Sequence, residues 1–176
     1  MVEDRNLSTE AAQAEKVLEG PKYTGQHMDI KERESGKMSG STSKPIVIVD
    51  YSEVRKGKLE ELKTAMNELV EFVAVNEPRM IAHNIYLNED GTRMTVFQVH
   101  PDSASAEFHM KVAGSAFPKF VEFIRMSGVD IYGKPSPDLL ERMRLKAQML
   151  GSGTVVVHEP QAGFSRFGVP VPDAPE

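Results

Sequence analysis

Histidine is the side chain in this sequence best suited to moving a proton, because its ordinary pKa of about 6.5 lies close to neutral pH. Four of the five histidines fall in the segment that is predicted to fold: His83, His100, His109 and His158. None of them has the HxH or HExxH spacing of a metal site, so a metal site would have to be assembled by the fold. The alternative for each is a packed histidine whose ring nitrogens bond the backbone.

Two polar residues stand at the ends of predicted strands. Asp50 ends the first strand, where it either caps the turn over residues 51–56 or places a carboxylate at the mouth of a cavity. His100 ends the third strand, directly before Pro101, and this position favours a surface histidine.

The direction of His83 depends on strand alternation. His83 lies in mid-strand next to Asn84, and successive side chains of a strand point to opposite faces. Only one of the two can therefore share a cavity with His109, and Tyr86 accompanies Asn84. The sequence leaves open which of them faces inward.

The elements that position these residues follow from the apolar pattern. Strands are predicted at residues 45–51, 80–87, 93–100 and 128–133, with a helix at 58–76. A second helix begins after Ser103, which is predicted as its cap, and Gly114 ends it. A turn at residues 88–91 joins the second and third strands. A further helix at 137–150 and a strand at 154–158 extend the chain, and that strand is expected at a sheet edge, of this subunit or of a partner.

The order β-α-β-β-α-β predicts an α+β fold of the ferredoxin-like kind, followed by an extra C-terminal helix and strand. Helices cover only one face of such a sheet. The first strand is apolar on both sides, so a lone subunit would expose aliphatic side chains on the other face.

Residues 95–120 carry a family resemblance. The relevant residues are Val96-Phe97-Gln98-Val99-His100, Asp102-Ser103, Ala106-Glu107-Phe108-His109 and Ser115-Ala116-Phe117. Their order and spacing resemble the antibiotic-biosynthesis-monooxygenase group of the dimeric α/β-barrel superfamily, over about residues 46–133. Gln98 replaces the glutamate of the family pattern, and His100 replaces its tryptophan.

The resemblance implies a fold in which two half-barrels pack sheet to sheet as a homodimer, with a pocket between sheet and helices in each subunit. It implies a monooxygenase or quinol oxidase that uses no flavin, haem or metal and acts on a small phenolic or quinol aromatic. A base deprotonates the substrate, whose anion then reduces dioxygen. His109 matches the helix-end histidine of the family, and with His83 it is the catalytic candidate.

The same resemblance suggests how the substrate is held. Asn84, Gln98 and Tyr86 are candidates for hydrogen bonding to the oxyanion. Phenylalanines are the expected apolar wall, with a purely structural core as the alternative: Phe97, Phe108, Phe117, Phe120 and Phe123. Asp50 and His100 complete the predicted substrate-binding set.

Two alternatives bear on function. A haem-degrading branch of this fold ligates iron through a histidine four residues after the phenylalanine of the Ser/Ala-x-Phe segment. Val121 stands there in this chain, so haem binding of that kind is not expected. The second alternative is a non-catalytic barrel dimer that binds a ligand or a protein partner through its terminal extensions.

Composition limits the partners. The chain has 176 residues, a net charge of −5 and no cysteine, and no basic stripe marks a nucleic-acid surface. No signal peptide or long apolar run is found, so a soluble, cytoplasmic protein is expected without a membrane partner. We predict a flexible extension over 1–44, or an arm that docks on a neighbouring subunit. The barrel domain is predicted over 45–160 and a proline-rich tail over 161–176.

Overall fold

A computed structural model describes residues 45–165 and Phe167. The predicted extension over 1–44 and most of the tail over 161–176 lie outside the described residues. The strands are β1 (Ile46–Val54), β2 (Ala82–Leu87), β3 (Arg93–His100), β4 (Ile124–Tyr132) and β5 (Gly151–His158). The helices are α1 (Leu59–Asn76), α2 (Ser103–Val112), α3 (Phe117–Phe120) and α4 (Pro137–Leu150). The predicted α+β, ferredoxin-like fold is confirmed, with α4 and β5 appended to it.

The five strands form one sheet in the order β2-β3-β1-β4-β5. The first four strands pair antiparallel, and β5 adds to β4 in parallel. The predicted edge strand therefore lies in the sheet of its own subunit. The segment β4-α4-β5 is a parallel crossover, which requires a connection of this length.

Alternation along β1 separates the two faces of the sheet. Ile46, Ile48 and Asp50 are buried beneath the helices, while Val47 and Val49 point to the opposite face. The strand continues to Val54, three residues beyond the predicted end. Asp50 thus lies inside the strand, and the prediction that it caps a turn is wrong.

The helix boundaries follow from local sequence. Asp102, in extended backbone, caps α2 by accepting a hydrogen bond from the Ser105 amide at 2.9 Å. The predicted cap, Ser103, is instead the first residue of the helix. Ser136 caps α4 as predicted, and its hydroxyl accepts from the Leu139 amide at 3.1 Å.

Two glycines let β5 lie close to β4. A Cβ on Gly151 would stand 2.3 Å from the Met126 carbonyl oxygen, and one on Gly153 would stand 2.8 Å from the Gly128 amide nitrogen. Both obstacles are backbone atoms, which cannot rotate away. The absence of a side chain at these positions is therefore what allows the parallel pairing to begin.

The hydrophobic core lies between the sheet and the helices. Its fully buried members come from β1, α1, α2, β4 and α4, and include Ile48, Leu62, Met110, Ile131 and Leu139. The opposite face of the sheet carries no helix in the described part of the chain. None of the described helices combines the length and the apolar character that crossing a bilayer requires.

Candidate active site

A cavity opens between the sheet and the helices. Its walls are apolar over most of their area and are formed by Leu69, Ile85, Met94, Val96, Phe117, Phe120, Ile124, Met126 and Leu150. Five polar side chains also line it: Asp50, His83, Gln98, His109 and Lys146. The cavity is thus an apolar pocket with a few convergent polar groups, the usual composition of a small-molecule site.

The cavity is narrow. Its volume is about 40 Å³. That space holds roughly three waters. A one-ring ligand therefore requires the wall to give way, and Met94 and Met126 are flexible wall residues that suit this adjustment.

His109 is the best-connected polar group of the cavity. It lies on α2 and is 2% exposed. Its Nδ1 is 3.0 Å from both carboxyl oxygens of Glu77, the residue that ends α1. Its Nε2 is 3.4 Å from the Gln98 amide nitrogen. The arrangement fits an Nδ1–H that donates to Glu77 and an Nε2 that accepts from Gln98.

The hydrogen bonds continue beyond Gln98. The Gln98 Oε1 is 3.4 Å from Nε2 of His100, and the His100 Nδ1 is 3.3 Å from the Ser105 hydroxyl. One set of tautomers satisfies the whole chain: Ser105 donates to His100, His100 to Gln98, Gln98 to His109, and His109 to Glu77. Because every hydrogen bond in this chain donates in the same direction, the tautomers of His100 and His109 are both determined.

His83 faces the cavity from β2. Its ring centroid is 5.4 Å from that of His109. Both of its ring nitrogens are shielded from solvent and have no hydrogen-bond partner among the described residues. A buried imidazole without partners is costly, so these nitrogens are free to bind a substrate oxygen.

Burial sets the protonation of these groups. It lowers the pKa of His83 to about 4 and the pKa of His109 and His100 to about 3, with nearby Lys146 adding to each shift. Burial raises the pKa of Glu77 to about 7, although His83 opposes the rise. At neutral pH the three imidazoles are therefore uncharged, and Glu77 is close to its point of half-ionisation.

The cavity wall also carries a buried ion pair. Lys146 of α4 and Asp50 of β1 are 4% and 2% exposed. The Lys146 Nζ lies 2.5 Å from Asp50 Oδ2 and 5.0 Å from the centroid of the Phe117 ring. The cavity is thus lined by neutral imidazoles together with a paired cation.

The sheet settles the question of alternation. His83 faces the cavity, while Asn84 and Tyr86 lie on the face that none of the described helices covers. Phe97, the register partner of Asn84, lies on that face too. Asn84 and Tyr86, predicted to bind substrate, are therefore separated from the cavity by the sheet.

Other predicted residues divide between cavity and surroundings. Asp50, Gln98, Phe117 and Phe120 line the cavity. Phe108 is 47% exposed and borders a second hollow beside Met80. It lies outside the cavity because it is one position round the helix from His109.

Two more residues surround the site without lining it. The expectation that His100 lies at the surface is wrong: the ring is fully buried, and it supports His109 through Gln98. Phe123 is buried in the core, with its ring edge-on to Phe120.

Glu77 and Lys146 were not among the residues predicted from the sequence. Lys146 stands three residues after Met143 and four before Leu150, on the apolar stripe of α4. Glu77 likewise stands four residues after Val73, on the extended stripe of α1. A charge on an apolar stripe is the signal that identifies both.

Residues 45–165 and Phe167 contain no group of three or more histidine and acidic side chains that could hold a metal ion.

Known proteins were compared with the chain in sequence and in structure. No protein-family model matches the sequence, and no curated protein matches it significantly. The structure is similar to MupZ from Pseudomonas fluorescens, with a TM-score of 0.55 and 16% identity over 72% of this chain and 98% of that one. This likeness shows a shared fold. The matched part covers more of this chain than the segment from β1 to β4, so the similarity extends beyond that segment.

Two further structures have lower scores. A conserved protein from Methanosarcina mazei Go1 has a TM-score of 0.47 and 19% identity over 54% of this chain and 96% of that one. SnoaB, a cofactor-independent oxygenase from Streptomyces nogalater, has a TM-score of 0.45 and 13% identity over 52% of this chain and 94% of that one.

Proposed function

We propose that this protein is a cofactor-independent monooxygenase or quinol oxidase that acts on a small phenolic or quinol aromatic. The observation that carries the proposal is His109, a neutral imidazole on the wall of an apolar cavity with its Nδ1 held by the Glu77 carboxyl group. A histidine backed by a carboxylate is a general base whose protonated form is stabilised as it appears. The family resemblance of residues 95–120 supports the same chemistry.

The base acts through its Nε2. The contact from Gln98 to this atom is long, at 3.4 Å, so a substrate hydroxyl can replace it. The hydroxyl proton moves to Nε2, and the imidazolium that forms is held by ionised Glu77. His83, neutral and unpartnered among the described residues, then donates a hydrogen bond to the substrate oxyanion.

The substrate supplies every electron that dioxygen needs. A quinol loses two electrons and two protons and becomes a quinone, while dioxygen takes up both and becomes hydrogen peroxide. An activated methylene, as in an anthrone, loses four electrons and becomes a carbonyl, while one oxygen atom enters the product and the other leaves as water. Neither reaction requires a further reductant.

Oxygen consumption with a panel of hydroquinones, catechols and anthrones tests this function. His109→Ala is expected to reduce turnover about a hundredfold or more, the usual effect of losing a general base. His109→Gln, which keeps a donor toward Glu77, is expected to fold like the wild type and to be equally impaired. A peroxide assay distinguishes the oxidase from the monooxygenase reaction.

His158→Ala is the matched control, because His158 pairs with Asp130 on the other side of the sheet. It is expected to keep full activity. The proposal is overturned by unchanged turnover in both His109 variants, or by a panel in which no compound supports oxygen uptake.

We also propose that two copies pack through the face of the sheet that no described helix covers. This face includes Tyr51, Tyr86, Tyr132 and Val156, all large and exposed. An apolar sheet face of this extent is expected to be covered by a partner, and the resemblance makes a second copy of the chain the natural occupant.

A further inference from the structure

The buried ion pair on the cavity wall is only partly satisfied. Asp50 Oδ2 is bound by Lys146, but Asp50 Oδ1 is buried and has no hydrogen-bond partner among the described residues. Asp50 is itself 2% exposed and lines the cavity. A carboxylate oxygen withdrawn from water without a donor is unfavourable, and a ligand hydroxyl is a donor that would satisfy it.

The Lys146 ammonium group has more N–H donors than its contact with Asp50 uses. An ammonium group has three N–H bonds, and Asp50 is the hydrogen-bond partner that the structure records for it. The Phe117 ring lies on another side of the group, at 5.0 Å. Because Lys146 also lines the cavity, a further N–H can reach an acceptor placed there.

The unused donor and the unused acceptor lie next to each other. Lys146 Nζ and Asp50 Oδ2 are 2.5 Å apart, and Oδ1 belongs to the same carboxylate. A ligand that binds both groups needs one oxygen that accepts from Lys146 and a second oxygen that donates to Asp50. Because the two groups are in contact, these two oxygens must lie close together in the ligand.

We propose that Asp50 and Lys146 form the specificity site of the cavity and select a ligand with two adjacent oxygens, at least one of them a hydroxyl, on one aromatic ring. Hydroxyls in the ortho position meet this spacing, and those in the meta or para position do not. The pair carries no net charge, so it accepts the neutral diol, and loss of one ligand proton strengthens the contact with Lys146. This inference rests on the proposed function only in taking the cavity as the substrate site.

Anaerobic equilibrium binding of catechol, resorcinol and hydroquinone to the full chain tests the inference without turnover. Catechol is expected to bind about tenfold more tightly than either isomer, the effect of one or two net hydrogen bonds.

Removing Lys146 alone would leave Asp50 buried and unpaired, so the test variant is the double change Asp50→Leu with Lys146→Met, which keeps the volume apolar. This variant is expected to bind the three isomers with equal affinity. The control is Glu68→Leu with Lys119→Met, which removes an exposed ion pair of 3.0 Å and is expected to keep the catechol preference.

Each outcome decides the matter. Equal affinities in the wild type, failure of all three compounds to bind, or a catechol preference that survives in the double variant overturns the inference. Catechol preference without oxygen uptake would sustain it while the proposed oxidation fails. Oxygen uptake without catechol preference would sustain the proposed oxidation and overturn the inference about Asp50 and Lys146.

Discussion

Glu77 is the residue whose ionisation is set to change near neutral pH. Its pKa is raised to about 7 by burial, whereas burial lowers the pKa of His109, so the ring is uncharged while Glu77 is protonated. Below pH 7 Glu77 is protonated and no longer balances the charge of a forming imidazolium. Above pH 7 it is ionised and does so.

The value of kcat/KM is therefore expected to rise with pH and to level off above about 7. Glu77→Gln is expected to lower kcat/KM about 10- to 100-fold, which is less than the loss expected when the general base itself is removed. The rise of kcat/KM with pH near pH 7 is also expected to disappear in this variant. A purely structural role of Glu77 would not produce that change. Full pH–rate profiles of both proteins measure it.

Glu71→Gln is the control, since Glu71 lies exposed on α1. It is expected to keep the wild-type profile. A limb near pH 7 that persists in Glu77→Gln would assign the ionisation to another group.

Residues of the candidate site could be predicted from the sequence only where they lie close together in the chain. His109 and Gln98 were found because they belong to one strand-turn-helix segment of 12 residues. Glu77 and Lys146 lie 32 residues before and 37 residues after His109. Only the packing of α1 and α4 over the sheet brings Glu77 against His109 and Lys146 to the cavity wall.

At the scale of elements, the spacing of apolar residues predicted the bounds of some elements and missed those of others. β3 and α4 begin and end at the predicted residues. β4 begins four residues earlier than predicted, at Ile124, because Arg125 and Ser127 alternate with buried side chains and lower its average apolarity. β5 likewise begins three residues earlier than predicted, at Gly151, because a glycine directly after a predicted helix indicates the end of that helix rather than the start of a strand.

The close approach of β5 to β4 gives a prediction about stability. In Gly151→Ala the new Cβ would meet the Met126 carbonyl oxygen at 2.3 Å, so β5 has to shift away. We expect a loss of about 1–3 kcal/mol in the free energy of unfolding, the usual result of overpacking. Urea denaturation followed by circular dichroism measures it.

The neighbouring change Ser152→Ala serves as the control, because Ser152 is exposed on the same strand. Its stability is expected to match that of the wild type. Equal stability of Gly151→Ala would show that the backbone spacing between the two strands is looser than described.

At the scale of the whole molecule, the uncovered sheet face predicts the oligomeric state. Val156 on β5 is 44% exposed on that face. Val156→Asp would place a charge in an apolar interface, where an unpaired charge is strongly unfavourable. The wild type is expected to be a dimer and the variant a monomer in light scattering coupled to size-exclusion chromatography.

Phe72→Asp is a matched control, because Phe72 is also 44% exposed but lies on α1. It is expected to remain dimeric. A wild type that is monomeric at all concentrations would refute the sheet-to-sheet dimer without affecting the cavity.

The crossover from β4 through α4 to β5 has a consequence for how the chain can change. Asp50 sits in the first strand, but its counter-ion is supplied by the last helix, 96 positions later. Removing α4 and β5 would leave the Asp50 carboxylate on the core side of the sheet without its counter-ion. A shorter variant without α4 and β5 would therefore also need an uncharged residue at position 50. The ferredoxin-like unit and the appended helix depend on each other through this ion pair.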